Sequence, residues 1–282
     1  MSRVTHTGWA LVLAVLLAAC GQNPPRPSEV QQAAVQWNQR AQAAYARGDY
    51  AQALAHYQQA LAVNRAVEDV DGIARELINL STVYRKLGQR DPARASLDTV
   101  LTAGGIPFTP AQRAEATYRL ALHAGEDGDA AAAQTLSDRA LTLCAACPAE
   151  GAIRNFQAGL RLAAGDATTA RELARRALEI NRRHGDRVEE ANSLRLLADA
   201  ALQLQDSAAA TDGYRQALAI DKIDGAPHKI AADLIGLGQA ELARGKRAEA
   251  ADYFARARSV ADAAGDNVGR QQAETLLRSA KP

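Results

Sequence analysis

The sequence predicts an all-α chain of about six helical hairpins followed by one further helix. Three observations carry this. Alanine supplies 65 of the 282 residues while aromatic residues make up only 4%, a composition suited to helices that approach one another closely. A turn position, here called t, recurs at Gly48, Gly88, Gly128, Gly165, Gln205 and Gly245, separated by 40, 40, 37, 40 and 40 residues. Residue types then repeat at fixed distances from t, which is the signature of a repeat architecture.

The columns are regular. At t+5 stand Ala53, Ala93, Ala133, Ala170, Ala210 and Ala250. At t+12 stand Ala60, Val100, Ala140, Ala177, Ala217 and Ala257, and at t−7 the small residues Ala41, Ser81, Ala121, Ala158, Ala198 and Gly238. Leucine fills t+13 (Leu61, Leu101, Leu141, Leu178, Leu218) until Arg258.

Each element follows from these columns. Before t, apolar residues at t−11 and t−8 (Leu77 and Leu80, Leu194 and Leu197, Leu234 and Leu237) give the face of a first helix. Glycine at t ends it, because only a residue without Cβ enters the left-handed region freely. Asp49, Asp129, Asp166 and Asp206 then stand where a carboxylate caps the second helix. That helix carries t+5, t+9 and t+12 on one face, with Tyr57, Tyr214 and Phe254 as bulky fillers at t+9. "HGDRVEEA" at 184–191 and "AGDNVGRQQA" at 264–273 repeat the punctuation between hairpins. The fourth hairpin has the weakest pattern, with Arg154 and Gln157 where apolar residues are expected.

The stretch from Trp37 to Ala60, "W...A......GDY..A...Y..A", resembles the tetratricopeptide repeat, and the 40-residue spacing is similar to a long-helix variant of that family. The resemblance implies a right-handed superhelical solenoid over 29–265, a capping helix over 266–282, and a concave face lined by the first helices. Carried over position by position, the lining is Asn38, Gln42, Tyr45, Arg75, Ile78, Thr82, Arg85, Lys86, Tyr118, Asn155, Asn192, Arg195, Asp199, Ile235 and Gln239. The Lys/Asn arrangement of the family's carboxylate clamps is not reproduced. Arg75, Arg85 and Lys86 put three cations in the second hairpin with no acid at its own lining positions, so an acidic partner segment is expected there.

The N-terminus sets a compartment. Trp9 to Ala19 is an apolar run of 11 residues, too short for a span of about 20 and of signal-peptide pattern. Leu17-Ala18-Ala19-Cys20 resembles the lipobox of bacterial lipoproteins, which implies cleavage of 1–19, acylation of Cys20 and a lipid anchor. "GQNPPRPS" within 20–28 reads as an extended tether. Gly21 after the cysteine implies, by resemblance to lipoprotein sorting, the outer membrane facing the periplasm in a two-membrane bacterium, or the outside of the plasma membrane in a one-membrane one.

Little points to chemistry. Without Arg3 the charges balance at 32 Lys+Arg and 32 Asp+Glu, which leaves no footprint for nucleic acid. His56, His123, His184 and His228 fall in four different repeats and cannot converge, since each repeat of a solenoid touches only its neighbours. No catalytic motif, cofactor site or metal site is expected. "CAACP" at 144–148 is open to three readings: a local disulfide between Cys144 and Cys147, two buried thiols, or a redox or metal site. The expected function is that of a non-enzymatic, membrane-anchored scaffold for envelope proteins or extended peptide segments. Related designs assemble pilus secretins, insert outer-membrane proteins or recruit murein hydrolases. The alternative is a receptor for exported peptides or glycans.

Overall fold

The structure is a computed structural model that describes residues 28–280. Cys20 and its flanking sequence lie outside the described residues. Thirteen α-helices and no strand occur among the described residues. They pair in chain order as α1 (Glu29–Ala46) with α2 (Tyr50–Ala66), α3 (Val70–Lys86) with α4 (Arg90–Thr102), and α5 (Pro110–Glu126) with α6 (Ala130–Leu143). Then come α7 (Glu150–Ala163) with α8 (Ala167–His184), α9 (Arg187–Gln203) with α10 (Ser207–Asp224), and α11 (Pro227–Ala243) with α12 (Arg247–Ala263). A last helix, α13 (Asn267–Ala280), packs on α12 and α11.

The turn chemistry is as the columns require. All six t residues have positive φ, from 64° at Gln205 to 80° at Gly128 and Gly165. Gln205 holds a left-handed conformation that costs an L-residue roughly 1–2 kcal/mol. Asp49, Asp129, Asp166 and Asp206 each accept the backbone N–H three residues on. Asp186 and Asp266 do the same at the starts of α9 and α13. Gln89 and Lys246 occupy the equivalent position without a side-chain cap.

The small-residue columns are the seams of the hairpins. Every residue at t+5 and t+12 is fully buried, as are Ala41, Ser81, Ala121, Ala158 and Ala198 at t−7. At Gly238 even a methyl group would run into the Phe254 ring. Arg258, which breaks the leucine column, is exposed.

First helices of consecutive hairpins also meet, α1 on α3, α3 on α5, α7 on α9, α9 on α11 and α11 on α13. Between α5 and α7 the backbones make no comparable approach; the rings of Tyr118 and Phe156 stand edge to face there, 6.0 Å apart. This joint carries the 37-residue spacing. Its α6 ends at Leu143, and a disulfide joins buried Cys144 to Cys147 before α7 begins. The polar residues of the fourth hairpin are matched by polar partners. Buried Gln157 donates to Ser137 Oγ and Asp138 Oδ1, and Arg154 holds Glu150 at 2.7 Å.

Candidate functional site

Three cavities open on the face formed by the first helices. One of about 150 Å³ lies between α3 and α5 among Thr82, Arg85, Lys86, Arg119, His123 and Glu126, and the other two, here the larger and the smaller cavity, border the α5–α7 joint. The larger, about 590 Å³, has a floor of Ala74, Ile78, Ala111 and the Cys147–Ala149 segment, rimmed by Asp71, Arg75, Asn79, Gln112, Glu115 and Arg119. The smaller, about 270 Å³, is lined by Tyr118 and Phe156, by Asn155, Glu189 and Asn192, and by Arg195 and Asp199. The rim of the larger cavity is internally paired: Arg119 holds Glu115 at 2.8 Å and Gln112 donates to Asp71 at 2.6 Å.

Several residues expected to line the face instead lock one hairpin to the next. Position t−10 of each hairpin meets t−12 of the following one. Buried Asn38 donates to both carboxylate oxygens of Glu76 (2.8 and 2.7 Å). Ser193 Oγ donates to Asn155 Oδ1 (2.8 Å) and Arg195 Nε to Asp233 Oδ1 (2.7 Å). All three pairs are 38 residues apart. At the same positions Ile78 shares an apolar cluster with Ala116, Tyr118 with Ile153, and Ile235 with Ala273. Polar residues therefore face polar ones and apolar face apolar, the whole length of the array.

The expected cationic patch is corrected by the same geometry. Arg85 is only 12% exposed and is gripped by Glu126 and Asp127 of the next hairpin, each at 2.9 Å. Arg75 lies 3.2 Å from the buried carboxylate of Glu76. Lys86 alone of the three cations is exposed and without an ion pair. The acids that neutralise Arg85 belong to the neighbouring repeat, outside the positions compared within one repeat. Asn38 is likewise a buried joint residue and offers nothing to a partner. Gln42 donates to Asn38, Thr82 donates to the Ile78 carbonyl, and the Tyr45 ring packs tilted against that of Tyr50, 5.4 Å between centres. Asn155, Asn192, Arg195 and Asp199 do come together, around the smaller cavity; Gln239 stands half-buried on α11, apart from both cavities.

Behind that cavity lies a buried charge cluster. Arg195 reaches Asp221 of α10 and Asp233 of α11, both almost fully buried, and donates to Asn192 (3.1 Å). Tyr214 donates to Asp199 at 2.5 Å. Burial pushes the carboxyls of Asp199 and Asp233 above the usual range, against the pull of Arg195. Burial, then Asp199, pushes the Tyr214 hydroxyl up as well, so it stays a donor at any physiological pH. The second oxygen of Asp233 is buried without a hydrogen-bond partner. His123, half-buried beside Arg85, is depressed to about 4 by burial and then by Arg85, and is neutral at pH 7. No group of three or more His, Cys, Asp or Glu poised to hold a metal occurs among the described residues.

Comparison with known proteins agrees with this architecture. The tetratricopeptide repeat model matches residues 31–103 and 149–223. No curated protein sequence matches. Among solved structures, a chain of the APC/C hetero-tetramer Cut9–Hcn1 aligns at TM-score 0.67 and 15% identity, over 88% of this chain and 43% of that one. The chain thus spans less than half the length of that relative. A Rap protein complexed with Competence and Sporulation Factor aligns at TM-score 0.61 and 16% identity, over 89% of this chain and 70% of the other. PilW, a widely conserved type IV pilus biogenesis factor, aligns at TM-score 0.57 and 16% identity, over 85% of this chain and 97% of its own. At these identities the likeness is one of fold. A stacked-hairpin array of this kind is an interaction scaffold that presents an extended surface to protein partners, and with the matched family model covering more than half of its residues, the chain belongs to the tetratricopeptide repeat family.

Proposed function

We propose that the protein is a non-enzymatic scaffold of the bacterial cell envelope, anchored through an acylated Cys20 and gripping an extended segment of a partner protein along its inner face. The observation that carries the reading is the pair of cavities flanking the α5–α7 joint, one with an apolar floor and one walled by amides, acids and two aromatic rings. An extended peptide offers backbone donors and acceptors along its length and side chains to alternate pockets, which suits such a surface. The lipobox-like Leu17–Cys20 and the proline-rich stretch after it support the anchor. The likeness in fold to a pilus biogenesis factor along nearly that protein's whole length favours assembly of an envelope machine. A glycan receptor is less favoured, because Tyr118 and Phe156 are the sole aromatic rings of the two cavities.

Photo-crosslinking in the native cell tests this. A photoreactive residue at Asn79 or Asn192, on the inner face, should capture a defined partner, whereas one at exposed Arg258 on α12 should not. Cys20→Ser should release the protein from the membrane fraction and abolish capture. Capture from Arg258 alone, or unchanged membrane fractionation of Cys20→Ser, would overturn the reading.

A further inference from the structure

The acids and the single guanidinium around the smaller cavity are out of balance. Four carboxyl groups, those of Glu189, Asp199, Asp221 and Asp233, gather about Arg195. The donor groups of Arg195 are directed to Asp221, Asp233 and Asn192. Glu189 receives a hydrogen bond from the Asn155 amide (2.8 Å), and Asp199 one from the Tyr214 hydroxyl. Both donors are neutral, so among the described residues neither acid has a cation bonded to it. Arg195 lowers Asp199 only in part; burial wins, and the carboxyl is held up. Behind Arg195, outside the cavity lining, the buried Asp233 is pushed up by burial and by the Asp221 carboxyl beside it. A half-buried carboxylate of this kind is costly unless it takes up a proton or a cation joins it.

The remaining walls are apolar. Tyr118 and Phe156 stand edge to face, the guanidinium of Arg119 lies 5.9 Å from the centre of the Tyr118 ring, and Ala152 and Leu196 complete the lining. Glu189 lies close enough to Tyr118 to push its hydroxyl up, after burial itself. A cavity with acids to one side and aromatic rings to the other fits an apolar stem ending in a cation, since the rings attract the cation by their quadrupole and cover the stem.

We propose that the cavity between α5, α7 and α9 is a specificity pocket for one arginine or lysine side chain of the partner segment. This deepens the inner-face reading and rests on it. It also reverses the polarity that the sequence suggested. The cations of the second hairpin are largely spent on the protein's own acids, whereas, among the described residues, Glu189 and Asp199 of the fifth hairpin have no cation bonded to them. Charge complementarity therefore selects a basic segment.

The test uses the full chain, titrated with N-acetyl-arginine methylamide and, separately, with its uncharged isostere N-acetyl-citrulline methylamide, followed by protein-observed NMR. The arginine probe should give saturable shifts at the side-chain amides of Asn155 and Asn192. The citrulline probe should bind about 10-fold more weakly or worse, as expected when a charge-assisted bond is lost. Glu189→Gln should lower affinity for the arginine probe by a similar factor, with no effect on the citrulline probe. Glu189 is chosen because Asp199→Asn would also disturb the Tyr214 bond. Equal binding of the two probes, shifts at a different surface, or an unaltered affinity in Glu189→Gln would overturn the proposal. If the arginine probe fails while crosslinking from Asn79 or Asn192 still captures the partner, the basic-residue specificity falls and the inner-face reading stands. If crosslinking fails while the probe binds, the reverse holds.

Discussion

Replacing Arg195 by methionine keeps an unbranched stem and removes the one cation that Asp221 and Asp233 share. Those acids are 1% and 0% exposed, so water cannot take the place of the guanidinium. Removing one partner of a buried ion pair costs about 3–5 kcal/mol, since the other charge is left uncompensated. That is a large share of the 5–15 kcal/mol by which a domain is stable. The loss should be local, because repeats contact only their neighbours. Urea denaturation should show a lowered first transition. Hydrogen exchange should rise in α9, α10 and α11 while α1 to α4 stay protected. A triple variant, Arg195→Met with Asp221→Asn and Asp233→Asn, should recover most of the loss, because neutral amides no longer require a cation. A loss below about 1 kcal/mol, exchange rising evenly along the chain, or a triple variant as unstable as the single one would refute the argument.

Other outcomes follow from the same structure. Burial lifts the Asp233 carboxyl from 3.8 to about 7, so the stability it contributes is full below the unfolded value and is lost as pH rises toward neutrality; Asp233→Asn should flatten that decline in a pH series of urea midpoints, and an unchanged slope would refute it. Ala53→Leu or Ala210→Leu, at sites with no exposed surface, should lower stability by about 1–3 kcal/mol through overpacking, measured by thermal unfolding; full tolerance at both sites would break the register. The Cys144→Ser, Cys147→Ser double variant removes a link between residues three apart, so the chain-entropy cost is only about 2 kcal/mol. Its exchange should rise mainly in α6 and α7; loss of partner capture in a variant that still folds normally would show that the disulfide does more than hold the joint. Gly238→Ala should lower the unfolding midpoint measurably, because the new methyl group meets the Phe254 ring in a packed seam; an unchanged midpoint would show that the seam relaxes freely.

What the sequence made legible depended on the range over which each residue acts. The turn glycines, the caps and the alanine seams act within one hairpin, so their columns could be read against t and the helices placed. The t−10 residues act across two hairpins. Taken one repeat at a time, Asn38 and Arg195 were indistinguishable from groove residues, and Arg85 looked free although Glu126 and Asp127 stand 41 and 42 residues on. A comparison of polarity at a separation of 38 would have found the joints: Asn38 with Glu76, Asn155 with Ser193, Arg195 with Asp233. The smaller cavity was half visible, since Asn155, Asn192, Arg195 and Asp199 were named for the lining. Glu189 and the ionic cluster behind Arg195 were not. Cys-x-x-Cys spacing suits a disulfide, two thiols or a redox pair equally well; the early end of α6 is a three-dimensional fact.

The paired joints also restrict how the array could be shuffled. In an array of interchangeable units, a recombination event could delete or swap a hairpin and leave a shorter but sound protein. Here, excising residues 69–108 would set the amide of Asn38 against the methyl group of Ala116, and Glu76 would be gone. Moving the last hairpin next to the third would bring Tyr118 onto Asp233. Loss of the third hairpin, by contrast, would set Ile78 against Ile153, apolar on apolar, so the flanks forbid some rearrangements and tolerate others.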